Sequence, residues 1–148
     1  MNIKIDAGIG EILDKLSILE IKLIKIENND KLKNIKYEYD ILLDIINKNI
    51  DNNILNNEKY KNLLEVNNKL WNVEDKLRYL EKINNFNEEF IISARAVYIL
   101  NDKRCYIKKL LNNEYNSNII EEKSYNSYNY DLTQNDLDIK LKKFINSI

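Results

Sequence analysis

The chain has no histidine and no proline, and its 148 residues include one cysteine and two glycines. Each shortage removes a class of answer. Without imidazole there is no Ser-His or Cys-His catalytic pair, and the commonest general base and transition-metal ligand is missing. The single Cys105 cannot build a zinc site or an internal disulfide, and its isolation fits a reducing compartment. No cofactor and no metal are therefore expected. An all-β fold needs turn residues at short intervals, which two glycines and no proline do not supply. The opening MNIKIDAGIG lacks the apolar stretch of a secretory leader, and charges break every apolar run before it could span a bilayer. A cytoplasmic protein is expected. Charged residues make up 32% of the chain and the formal net charge is -1, so nothing favours nucleic acid or an anionic membrane as partner.

Asn, Ile and Lys fill nearly half of the sequence. All three are read from AT-rich codons, so the composition points to an AT-biased genome in which Lys is the default cation. Three arginines stand against twenty lysines. Residues retained against such drift mark where the chemistry is expected to sit: Ala7, Gly8 and Gly10, then Trp71, Arg78, Ala94, Arg95, Ala96 and Arg104.

The hydrophobic period is helical almost throughout. The spacing predicts a first helix from about Ala7 to Glu27, with a seam of Ile9, Ile12, Leu16, Leu19, Leu23 and Ile26. Leu13, Ile18, Ile21 and Ile24 widen that seam to most of the circumference, which suits a central helix. A second helix is predicted from Lys31 to Asn49, capped by Asp30, with Leu32, Ile35, Tyr39, Leu42 and Ile46 inward. A third, from Glu58 to Asn84, buries Leu63, Val66, Leu70, Val73, Leu77 and Leu80. A fourth, from Glu88 to Leu111, starts after Asn87, and its seam of Phe90, Ala94, Val97, Asn101, Arg104, Lys108 and Leu111 turns polar halfway. An Asn/Tyr-rich stretch from Asn126 to Asp131 has no period. A tail helix from Gln134 to Ile148, capped by Thr133, presents Leu137, Leu141 and Phe144. The expected fold is all-α: an antiparallel bundle of four main helices over residues 1–125, then a polar linker and a peripheral C-terminal helix over 126–148.

A polar stripe runs beside the seam of the third helix: Asn67, Trp71, Glu74 and Arg78, at steps of four, three and four. Asn101, Arg104 and Lys108 form a matching stripe on the fourth. If these faces meet, two Arg, one Lys, one Glu and two Asn surround a lone Trp. One reading is an anion pocket, since the guanidinium fork fits carboxylate or phosphate oxygens and Arg78→Lys would lose that fit. Another is a closed polar network that fixes helix register. A third is a solvated face. Arg95 lies about 180° from Arg104 around its helix. It suits a second salt bridge between helices or a partner contact. Glu121, Glu122, Lys123 and Tyr125, within the segment EEKSY, could dock onto the bundle or contact a partner. Gly8 and Gly10 lack the pattern of a phosphate loop and suit a close approach of backbone. Glu11 and Asp14 give one E-x-x-D pair with no E-x-x-E to complete the magnesium site of helical pyrophosphohydrolases. Arg, Lys and Glu inside a bundle suit chorismate-mutase-like electrostatics, but the spacing is not that family's.

GEILDKLSILEIKL, VNNKLWNVEDKLR, EFIISARAVYILNDKRCYIKK and EEKSY, in that order, resemble an uncharacterised family of short all-helical bacterial proteins, over residues of about 3–125. The resemblance rests on Gly10, Asp14, Lys15, Asn67, Trp71, Glu74, Arg78, Arg95, Tyr98, Asn101, Arg104, Lys108 and EEKSY, and it implies no activity. The leading expectation is a non-enzymatic binding or scaffold protein that offers its Arg/Lys/Glu/Trp face to a partner protein or small anion. One alternative is a metal-free enzyme with Glu74 as acid or base and Arg78, Arg104 and Lys108 holding a phosphorylated or carboxylated substrate. Another is a homo-oligomeric helical module whose long seams meet other copies.

Overall fold

A computed structural model describes every residue except Asn2, Asn129 and Tyr130. Those positions hold one residue of the opening segment and two of the polar Asn126 to Asp131 stretch, so the expectations made there lie outside the described residues. The protein is all-α. Among the described residues it has α1 (Ile9–Lys25), α2 (Asn29–Asn49), a short 3-10 turn (Ile54–Asn56), α3 (Glu58–Lys82), α4 (Glu88–Glu114) and α5 (Asp136–Ser147). None of these helices is long and apolar enough to cross a membrane.

The chain forms two compact units. The first comprises residues 1–67 and 104–122, and the second residues 68–103 and 123–148. The helices α3 and α4 each contribute to both. In the first unit the core is Leu13, Leu16, Leu19 and Ile21 of α1, Ile46 of α2, Tyr60, Leu63 and Val66 of α3, and Ile107 and Leu111 of α4. Of the wide apolar arc predicted for α1, Leu13, Leu16, Leu19 and Ile21 are buried, Ile9, Ile12, Ile18, Leu23 and Ile26 are half-buried, and Ile24 is exposed. In the second unit Leu70, Val73 and Leu80 of α3 are buried, with Ile92, Ala96 and Leu100 of α4 and Leu141 of α5. The buried edge of α4 thus runs through Ile92, Ala96, Leu100, Ile107 and Leu111. The stripe read from sequence flanks it, half-buried from Phe90 to Arg104. Its polar half is half-buried at Asn101 and Arg104 and buried at Lys108.

Asparagine does the work that glycine and serine do in other compositions. Asn28 caps α2 by accepting from the Lys31 amide at 3.0 Å, in place of the expected Asp30. Asn57 accepts from the Lys59 and Tyr60 amides at 2.9 and 3.1 Å, and Asn87 from Glu89 at 3.0 Å. Asn135, rather than Thr133, caps α5. At the other ends, Asn84 and Asn116 adopt φ of 52° and 51°. Each closes a left-handed cap in which the next residue's amide reaches back to the final turn, Asn85 to Leu80 and Ser117 to Asn112. Asn tolerates this conformation through its short polar side chain, so both long helices stop without glycine.

The two glycines serve a different purpose. A Cβ on Gly10 would stand 2.6 Å from the carbonyl oxygen of Lys108, and one on Gly8 would stand 2.7 Å from that of Ile119. The start of α1 therefore presses against the end of α4 and the strand of chain beyond it. The orphan amides of that helix start are met from the same place: Gly10 donates to Asn112 Oδ1 at 2.7 Å and Ile9 to Ser117 Oγ at 3.1 Å. Gly8 itself offers no capping side chain. A helix start with no local cap is thus completed by residues about a hundred positions away.

Two measurements test these packing arguments. Gly10→Ala forces Lys108 backbone to move, and urea denaturation is expected to show a loss of about 1–3 kcal/mol. Burial first, then its bond to Glu20 at 2.8 Å, raises the Tyr60 hydroxyl above its ordinary value, and burial with a bond to Asp51 pushes Tyr115 up to about 12. Unfolded tyrosine ionises near pH 10. Above that pH the unfolded chain releases protons that the folded chain keeps, so stability falls as pH rises. Denaturation at stepped pH should show this decline beginning at about pH 10, and it should be shallower in Tyr60→Phe.

Candidate functional site

In α1 the apolar arc is interrupted by Asp14 and Ser17, both buried. A carboxylate and a hydroxyl inside a core need partners, and α3 and α4 supply them. Arg104 approaches Asp14 with its fork: Nε donates to Oδ1 at 2.8 Å and one terminal nitrogen to Oδ2 at 2.5 Å. Asn67 Nδ2 donates to Asp14 Oδ1 at 2.8 Å and to Ser17 Oγ at 2.7 Å. Ser17 in turn donates to the Asp14 carbonyl at 2.7 Å. The Asp14 hydrogen bond raises the affinity of the Arg104 guanidinium for its proton, against the opposing effect of burial. One turn further along α4, Lys108 is only 6% exposed. Its ammonium sits between Glu11, in close contact, and Glu121 Oε2 at 2.8 Å. Burial pushes the Lys108 pKa down, but the hydrogen bonds to Glu11 and Glu121 outweigh it and the net shift is upward. No buried side-chain nitrogen or oxygen among the described residues lacks a partner.

The seven candidates of the expected cluster fall in both units. Asn67, Arg104 and Lys108 come together in the first unit, around acids of α1 that the stripe analysis left out. Trp71, Glu74, Arg78 and Asn101 belong to the second unit. There Arg78 donates to Glu74 Oε2 at 3.1 Å as the i,i+4 pair its spacing predicts, with its side chain 72% exposed. Trp71 is half-buried. The fork argument made for Arg78 accordingly belongs to Arg104. The acids also neutralise the expected excess of positive charge: two cations meet Asp14, Glu11 and Glu121. The E-x-x-D pair of Glu11 and Asp14 serves these cations. Among the described residues no group of three or more acidic or cysteine side chains is placed to hold a metal ion.

Arg95 has an internal partner. Its guanidinium donates to Asp138 of α5 at 2.7 Å, and this bond, with a second to Tyr98, raises its pKa. Lys140 bonds Glu88, Lys76 stands 4.8 Å over the Phe144 ring, and Leu141 is fully buried, so the tail helix is docked on the second unit. The EEKSY segment has no regular secondary structure and is exposed. Glu121 reaches Lys108, and Glu122 lies 3.9 Å from Lys109.

The second unit also holds a cleft of about 500 Å³, lined by Val97, Tyr98, Asn101 and Asp102 of α4 and by Lys123, Tyr125, Asn126 and Tyr128. The Tyr98 and Tyr128 rings meet edge to face at 5.1 Å, and the Tyr128 hydroxyl donates to Asp102 at 2.6 Å. Three of the sequence candidates, Asn101, Lys123 and Tyr125, line it. Val97, Asp102, Asn126 and Tyr128 were not singled out as site residues. The available signal was the i,i+4 pair of Tyr98 and Asp102 on the half-hydrated flank of α4. Tyr128 carried no signal, because nothing local says where an aperiodic segment returns.

The two guanidiniums are expected to differ sharply on removal. Arg104→Ala strands a buried carboxylate and should cost about 3–5 kcal/mol by urea denaturation. Arg78→Ala removes a surface pair and should cost about 0.2–1 kcal/mol. Equal losses would contradict the difference in burial between the two ion pairs.

No match is found among curated proteins or among solved structures. A family model does match, over residues 1–132, so that the chain belongs to the family of unknown function DUF6165.

Proposed function

We propose that the protein is a non-enzymatic binding module whose ligand is a small molecule, neutral overall, seated in the tyrosine-lined cleft. The observation that carries this reading is the cleft itself. Its volume of about 500 Å³ suits a small organic ligand. Tyr98, Tyr125 and Tyr128 offer flat apolar walls with polar rims, and Asn101 and Asn126 offer paired donors and acceptors. The lining contains one carboxylate, Asp102, and one ammonium, Lys123. An uncharged or zwitterionic ligand with a flat or apolar face complements that balance, whereas a dianion would bring two negative charges to a lining that already holds Asp102.

The sequence-based choice of a small anion rested on Arg78, Arg104 and Lys108. Arg104 and Lys108 are engaged by carboxylates, and Glu74 is held by Arg78 on an exposed helix face. The same engagement favours binding over a catalytic role for Glu74 and these three cations. Arg95 and Glu121, candidates for partner contact, carry ion pairs to Asp138 and Lys108.

The test is a thermal-shift and calorimetric screen with three matched sets: uncharged sugars and nucleosides, aromatic zwitterions, and dicarboxylates or phosphate esters. A true ligand at a hundred times its Kd stabilises by about 2.7 kcal/mol, which is several degrees for a domain of this size. The first two sets should contain the responders, and Tyr98→Ala should abolish the response while Arg78→Ala leaves it intact. A response confined to the dianions, or one that survives Tyr98→Ala, would reject the proposal.

A further inference from the structure

On α2 the seam of Leu32, Ile35, Tyr39, Leu42 and Ile46 is half-buried or buried, so the surface once open to other copies on this helix is largely taken. A second apolar stripe remains. Tyr37, Ile41 and Ile45, at steps of four, are 71%, 45% and 45% exposed. At 100° per residue Asp30, Lys33, Asp44 and Lys48 lie within about 80° of the Ile41 direction, as do Lys31 and Glu38, so stripe and charges share one face. Asp30, Lys33, Asp44 and Lys48 sit at the two ends of that face with the apolar stripe between them, and Glu38, midway, is held by Lys15 of α1 at 2.6 Å.

We infer that this face of α2 is the contact surface for a second copy of the chain, packed antiparallel about a two-fold axis. The pattern of charge selects both occupant and direction. A register that sets Tyr37 against Ile41 of the second copy also sets Asp30 against its Lys48 and Lys33 beside its Asp44. Each of these four charges then meets the opposite sign, and the symmetry repeats each pair. A parallel pairing in register would set each charge against itself, which is unfavourable at these distances. Within one chain the same groups form only exposed pairs along the helix, Asp44 with Lys48 at 2.6 Å and Asp30 with Lys33 at 3.8 Å. Such pairs exchange readily for equivalent ones across an interface, because neither is desolvated. The near-zero net charge of the chain opposes association little. This inference is independent of the cleft, whose lining contains no residue of α2.

Sedimentation equilibrium and light scattering over a wide concentration range test the contact. Wild type should reach twice the monomer mass. Ile41→Glu should weaken association at least tenfold with an unchanged circular dichroism spectrum and melting curve, since the position is exposed. Lys48→Asp should weaken it through a like-charge pair with Asp30, and adding Asp30→Lys should restore it. A wild type that stays monomeric at millimolar concentration would overturn the inference, as would a dimer indifferent to Ile41→Glu. Failure of the double variant to recover association would overturn the antiparallel register. The ligand screen with Ile41→Glu separates this outcome from that of the cleft, because its response should equal that of wild type.

Discussion

The Asp14 carboxylate, buried in α1 and forked by Arg104, is the constraint around which the first unit is arranged. A carboxylate in an apolar core is tolerated only when its oxygens are hydrogen-bonded and its charge is countered. That requirement fixes three helices at once. The guanidinium must come from α4 and the amide of Asn67 from α3, each at a definite rotation. One turn along, Lys108 repeats the logic with Glu11 and Glu121, and so draws the segment after α4 back onto the start of α1. Apolar packing alone would allow these helices to slide by a turn with modest loss. A fork of two bonds allows no such slippage.

Close approach makes the network possible. The α1 start can reach α4 because Gly8 and Gly10 carry no Cβ, and the amides freed there are taken by Asn112 and Ser117. The few glycines in this chain thus stand where backbone meets backbone. Left-handed helix ends, where glycine is the usual choice, are given to Asn84 and Asn116. Composition has shifted which residue does each job, and the two jobs separate by their physics. An αL conformation costs asparagine little, but no side chain can occupy the 2.6 Å gap beneath Gly10. The second unit is organised differently. Its core is small and apolar, α5 is fastened by Arg95 with Asp138 and by buried Leu141, and its polar groups gather around a cleft.

The helices were legible in the sequence because each carries a sustained period, and all but α1 start beside an asparagine. Boundaries moved by a few residues where two asparagines or an Asn and an Asp competed for one cap, as at Asn28 against Asp30. The inward face of α3 followed largely from spacing, and so did Leu13, Leu16, Leu19 and Ile21 of α1, but not the buried Asp14 and Ser17 beside them. That of α4 did not, since Ile92, Ala96 and Leu100 and the parallel series Phe90, Ala94 and Val97 are both apolar, and only the neighbours decide which is buried.

What the sequence determined by itself was the residue types able to do chemistry, the all-α class, and the rarity that marked Arg95, Arg104, Gly8 and Gly10 as special. It also fixed the i,i+4 pair of Glu74 and Arg78, because that contact is local to one helix. The tertiary structure decided the partners. Arg104 found Asp14, 90 positions away, Arg95 found Asp138 and Lys108 found Glu11, and Tyr128 returned to Asp102 to close a cleft. Local spacing fixes the direction in which a side chain leaves its own helix. Which group waits there depends on helix packing, and packing is set by the whole core.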